Sequence, residues 1–127
     1  LVKEYNNLPA LIKETINNDN YSTIADKIYD KKQIFFIGRG IDYALSLEAS
    51  LKLKEISYIN SVAYQAGELK HGTISLIEKD TPVMGIITDD NLALKTISNI
   101  KEVHARGAYS LFITSLDIDG DFYEIQF

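Results

Sequence analysis

The chain has 127 residues, a net charge of -5, 46% hydrophobic residues and no cysteine. That length suits one domain with a real core, while the missing cysteines exclude disulfides, thiolate nucleophiles and thiolate metal sites and fit a reducing, cytoplasmic setting. The acidic balance argues against a general nucleic-acid-binding surface, no apolar run approaches the roughly 20 residues of a membrane span, and no signal peptide is visible.

In chain order, Leu8 to Asn17 reads as a helix with Pro9 in its first turn. Ser22 is placed to cap a second helix through about Tyr29, with Ile24, Ala25 and Ile28 at helical spacing. Gln33 to Ile37 is a short buried strand that ends at the turn Gly38-Arg39-Gly40. Asp42 is the expected N-cap of a helix that runs to about Ile59. Its apolar residues (Ala44, Leu45, Leu47, Leu51, Leu53, Ile56) predict a largely buried helix.

Ser61 to Tyr64 is the next strand, followed by the loop AGELKHG and a short helical turn from Thr73 to Ile77. Thr81 to Thr88 is continuously apolar over its centre, as central parallel strands are. Asp89 or Asp90 caps a helix to Arg106, which Gly107 stops. Tyr109 to Thr114 and Phe122 to Phe127 complete the strands. Strands alternating with helices call for a three-layer α/β sandwich: a five-stranded parallel sheet, flavodoxin-like, flanked by helices. Ligands in such sheets bind beyond the strands' carboxyl ends. The start at Leu1 and the close on a strand lead us to expect residues 1–127 to be a single domain within a longer polypeptide.

Between Leu51 and Gly72 the chain gathers the carboxylates of Glu55 and, in the loop, Glu68, one imidazole, His71, and the ammonium groups of Lys52, Lys54 and Lys70. Glu48, Lys52 and Glu55 share one helix face. A solvated, stabilising stripe is the plain reading of that spacing. A second reading makes Glu55 a base whose pKa rises through partial desolvation and the negative end of the helix dipole. His71 sits in a loop with glycine on either side and is suited to acid–base work near neutral pH. His104, on the helix with Lys101, Glu102 and Arg106, reads as surface. Gly38, Arg39 and Gly40 form either a phosphate-binding turn or a tight turn that touches nothing; a dinucleotide fingerprint is excluded because its third glycine would fall at Tyr43. Two distant histidines give no metal-ligand spacing. The run DIDGD from Asp117 to Asp121 lacks the rest of a calcium loop and reads as a turn.

Taken together, GRG, LKLKE and YxxGELKHG, in FFIGRGIDYALSLEASLKLKEISYINSVAYQAGELKHG, resemble the second sugar-isomerase (SIS) domain of the isomerising glutamine–fructose-6-phosphate aminotransferase (glucosamine-6-phosphate synthase) family. The resemblance is close from about Phe35 to Asp80. It implies that Glu55 moves a proton between sugar carbons 1 and 2. It places Lys52 in the active-site region near that glutamate; on chemical grounds the lysine either stabilises enediolate-like charge, keeps Glu55 ionised, or is a purely structural partner of Glu48 or Glu55. It implies that His71 helps open the sugar ring and reaches into the neighbouring subunit's site. It further implies a phosphosugar substrate (fructose 6-phosphate giving glucosamine 6-phosphate), a homodimer, and partner domains on the same polypeptide: a first SIS domain and a glutaminase. No metal or organic cofactor is implied.

The family's phosphate-binding serines and threonines come mainly from the first SIS domain, and its imine-forming lysine from a C-terminal tail. Neither lies in residues 1–127, so activity is expected only of the longer protein. Thr73 stands where the family usually has proline. The alternatives are a non-catalytic phosphosugar-sensing SIS module and a related SIS deglycase or isomerase.

Overall fold

The computed structural model describes residues 2–17, 20–118, 120 and 125–126. Its helices are α1 (Val2–Ile16), α2 (Asn20–Ile28), α3 (Ile41–Ser57) and α4 (Asp90–Ala105). Its strands are β1 (Gln33–Gly38), β2 (Asn60–Gln65), β3 (Pro82–Ile87), β4 (Tyr109–Thr114) and β5 (Ile125–Gln126). Two 3₁₀ turns, Glu68–His71 and Thr73–Leu76, connect β2 to β3.

All strand pairings are parallel, in the order β2-β1-β3-β4-β5. Four strands of six residues form the body of the sheet, where the sequence leads one to expect five full strands. Ile125–Gln126 adds only a short pairing with Leu111 and Phe112. The rest of the expected fifth strand, and Asp119 and Asp121 of the DIDGD run, lie outside the described residues.

The pleat divides the core in two, because successive side chains on a strand point to opposite faces. Phe35, Ile37, Val83, Ile87 and Phe112 pack with Ile100 and Val103 of α4 and with Leu69 and Ile77 of the β2–β3 connection. Ile34, Phe36, Met84 and Leu111 pack on the other face with Ile24 and Ile28 of α2 and Ala49 and Leu53 of α3. The sheet is thus covered on both faces, as all-parallel sheets are. Because β1 lies between β2 and β3, its neighbours lead away in opposite directions, and the carboxyl ends of β1 and β3 mark the topological switch point.

Three local expectations are corrected. First, α1 begins at Val2, so Pro9 sits inside it and removes one helical hydrogen bond; the helix buries none of its residues. Second, the N-cap of α3 is Gly40, at φ 56°, and not Asp42. Asp42 lies in the first turn, 1% exposed, where its carboxylate accepts from Thr88 N (3.0 Å) and Thr88 Oγ1 (2.5 Å). It therefore ties the helix to the end of β3. Third, α3 is not largely buried. Asp42, Ser46 and Ser50 face the sheet, while Leu45, Leu47, Leu51 and Ile56 are exposed. The small buried residues let the helix lie close to the strands. Ser61 Oγ donates to the Ser50 carbonyl at 2.7 Å, and Ser46 Oγ to that of Asp42 at 2.7 Å. As expected, Asp89 caps α4 by accepting from Asn91 N at 2.9 Å, and Gly107, at φ 92°, follows its end.

Candidate functional site

Lys52 and Glu55 meet near the carboxyl end of α3, where a spacing of three residues puts them on adjoining turns. Lys52 Nζ donates to Glu55 Oε2 at 2.8 Å and lies 3.7 Å from Glu48 Oε1. Glu55 holds the ammonium of Lys52 above its ordinary pKa, first by this hydrogen bond and then by its charge. The partial desolvation expected of Glu55 is absent in this chain: its side chain is 51% exposed. The cause is the orientation of α3, whose serine face meets the sheet while its charged and leucine faces stay outside. Lys54 is also exposed.

His71 ends the 3₁₀ turn Glu68–His71 and is exposed, as are Glu68 and Lys70. Leu69, 1% exposed, anchors the turn in the core between them. Lys70 Nζ pairs with Glu102 Oε1 on α4. Gly72, at φ 130°, lets the chain reverse into the next turn.

The topology separates Glu55 from His71. The α3 crossover returns from the carboxyl end of β1 to the amino end of β2. From Ile41 to Glu55 is 14 residues, about 21 Å along the axis at roughly 1.5 Å each. Glu55 therefore lies toward the strands' entry ends, whereas His71 follows the exit end of β2. Of the three residues picked out for chemistry, one chain brings Lys52 and Glu55 together and leaves His71 apart.

The turn after β1 has a steric logic. A Cβ at Gly38 would lie 2.5 Å from the backbone C and O of Asp42, so glycine is required for α3 to start this close to the strand. Gly40 supplies the left-handed conformation at the cap. Arg39 extends across to α4: Nη2 donates to Asn99 Oδ1 at 2.9 Å, and the guanidinium lies against Gly67. Asn99 is the residue that sequence reasoning missed. It is 2% exposed on the buried face of α4, with Ala93, Thr96, Ile100 and Val103, and a polar residue at a core position was the available signal. His104, read as surface, is half-buried, with its Nδ1 enclosed and unpartnered.

Among the described residues, no three His, Cys, Asp or Glu side chains gather where they could hold a metal ion. Nor is any helix among them long and apolar enough to cross a membrane.

The SIS domain family model matches residues 27–119, from the end of α2 to just past β4, which takes in β1 to β4 and their crossovers; the chain belongs to that family. Two curated relatives carry the same enzyme name. The chain is 49% identical over 110 residues to glutamine–fructose-6-phosphate aminotransferase (isomerizing) of Caldanaerobacter subterraneus subsp. tengcongensis, covering 86% of this chain and 18% of that protein. It is 51% identical over 118 residues to the enzyme of the same name from Lactiplantibacillus plantarum, covering 91% and 19%. Among solved structures, the C-terminal domain of glucosamine-fructose-6-phosphate aminotransferase from Francisella tularensis superposes with a TM-score of 0.87 at 36% identity, over 98% of this chain and 36% of that one. The chain thus spans about a fifth of the length of the curated relatives it matches.

Proposed function

We propose that this chain is a phosphosugar-binding SIS domain of an isomerising glutamine–fructose-6-phosphate aminotransferase, and that it works in a site shared between copies. The observation that carries this reading is the position of the Lys52–Glu55 pair. It lies on the outward face of α3, among leucines that this chain leaves uncovered, and at the opposite end of the layer from His71. A first SIS domain packed on that leucine face would enclose the pair and supply the desolvation a base needs. His71 reaches such a pocket from a second copy, which makes the homodimer part of the mechanism.

The chemistry then divides between the two groups. Glu55 takes the proton from sugar carbon 1 as that electron pair forms a double bond to carbon 2 and the π pair of carbon 2 moves onto its heteroatom, which gains a proton; Glu55 then returns its proton to carbon 2 as the carbon 1 hydroxyl gives up its own and becomes the carbonyl. Lys52, 2.8 Å away, places a positive charge beside the carboxylate and beside the enediolate-like charge that develops on the sugar. His71 exchanges protons between the anomeric hydroxyl and the ring oxygen while the ring opens. Neither role calls on a cofactor. The exposed glutamate and histidine favour turnover over a sensing module, which has no use for a base.

The test is Glu55→Gln in the longer protein that contains this chain. Conversion of fructose 6-phosphate to glucosamine 6-phosphate should be lost while glutamine hydrolysis stays measurable. Near-normal synthesis would remove Glu55 from the mechanism.

A further inference from the structure

At the exit end of the sheet, away from Lys52 and Glu55, a groove of about 420 Å³ is lined by Arg39, Gly67, Lys70, Leu94, Lys95, Ser98 and Asn99. Three of these seven residues are cations, in a chain whose net charge is -5. Lys70 is engaged by Glu102. Among the described residues no carboxylate pairs with Arg39 or Lys95.

Arg39 is held rather than loose. Asn99, itself buried, accepts from Nη2 at 2.9 Å. The same fork rests on Gly67, where a Cβ would come within 3.0 Å of Nη2 and 3.2 Å of Nη1. Its Nε is buried without an acceptor. A guanidinium fixed by a neutral amide keeps its full charge and has lost its rotamer freedom beforehand, so little ordering cost remains when an anion arrives. Arg39 and Lys95 together supply two uncompensated positive charges, and the Ser98 hydroxyl supplies a further donor.

We propose that this groove is an oxyanion site for the dianionic phosphate of a small phosphorylated molecule, separate from the Lys52–Glu55 pair. Two free cations match the two charges of a phosphate above its second pKa of about 6. The fork geometry of arginine suits two oxygens of one tetrahedral group.

Residues 1–127 hold two arginines, Arg39 and Arg106, so an ¹⁵N-correlated NMR spectrum of this 127-residue chain, once its folding is confirmed by circular dichroism, shows two Nε–H signals, one of them an internal reference. Inorganic phosphate is titrated at fixed ionic strength above that second pKa. The expected result is a saturable shift of the Arg39 signal with Arg106 unmoved. Lys95 is exposed, so Lys95→Gln leaves the fold intact, and it should weaken the affinity roughly tenfold for one lost charge-assisted contact. Acetate should give no saturable shift at the same concentrations. An unsaturating drift shared by both arginines, an unchanged affinity in Lys95→Gln, or equal saturation by acetate would overturn the proposal.

Discussion

Lys52 and Glu55 show how far a single pair of residues can be taken from spacing. Positions three apart on a helix adjoin, and the contact forms at 2.8 Å. Because Glu55 raises the pKa of Lys52, the attraction is fully present below the ordinary lysine value of 10.5 and fades as pH rises through the elevated one. The expected outcome for Glu55→Gln is therefore a fall of the Lys52 titration midpoint toward its ordinary value, read from the ¹⁵Nζ signal; an unmoved midpoint would mean that Glu48 alone sustains the shift. Gly38 is a second case at this scale. The close approach that its glycine permits is met by backbone atoms of Asp42, which cannot swing aside. Gly38→Ala should cost roughly 3 kcal/mol, the upper part of the overpacking range, in chemical denaturation. A loss below the detection of that method would show that the turn can relax.

Among the elements, the strands were the most legible. Gln33–Gly38, Pro82–Ile87 and Tyr109–Thr114 lie within a residue or two of their apolar runs, because a strand buried on both faces needs no alternation to be seen. The helix α3 was legible as a helix but not in its orientation. Helical periodicity locates an apolar stripe, yet it does not say whether the sheet or another domain covers it. Here the sheet takes Asp42, Ser46 and Ser50, and the leucines are left outside. Asp42 illustrates the same limit. Its place after Gly40 suggests a cap, whereas its partner, Thr88, lies 46 residues away and could not be read locally. Asp42→Asn, which weakens the acceptor of both Thr88 hydrogen bonds, should destabilise the protein by about 2 kcal/mol in a denaturant titration; an unaltered midpoint would demote this link between α3 and β3. For the leucine face, Leu47→Lys with Leu51→Lys should leave the circular-dichroism spectrum intact and reduce association in sedimentation. Unchanged association would free the face of any role as an interface.

At the scale of the whole molecule, the proposed roles divide between two ends of the sheet. The exit end of the sheet carries the Arg39 turn, the groove against α4 and the turn that presents His71. The entry end carries Lys52 and Glu55 on the outer face of α3. Sequence proximity obscured this division: sixteen positions separate Glu55 from His71, but an α-helical crossover and a strand reverse the direction of the chain between them. The candidate residues could be chosen from the sequence, while their separation depends on chain topology. In a dimer whose sites each combine Glu55 of one copy with His71 of the other, Glu55→Gln and His71→Ala proteins of full length are individually inactive in fructose 6-phosphate conversion. Dissociated and reassembled together in equal amounts, half the dimers are mixed, and each mixed dimer holds one intact site of two. The account predicts recovery of about a quarter of the unmutated activity. Activity no higher than that of the separate variants, in mixtures shown to have exchanged subunits, would contradict it.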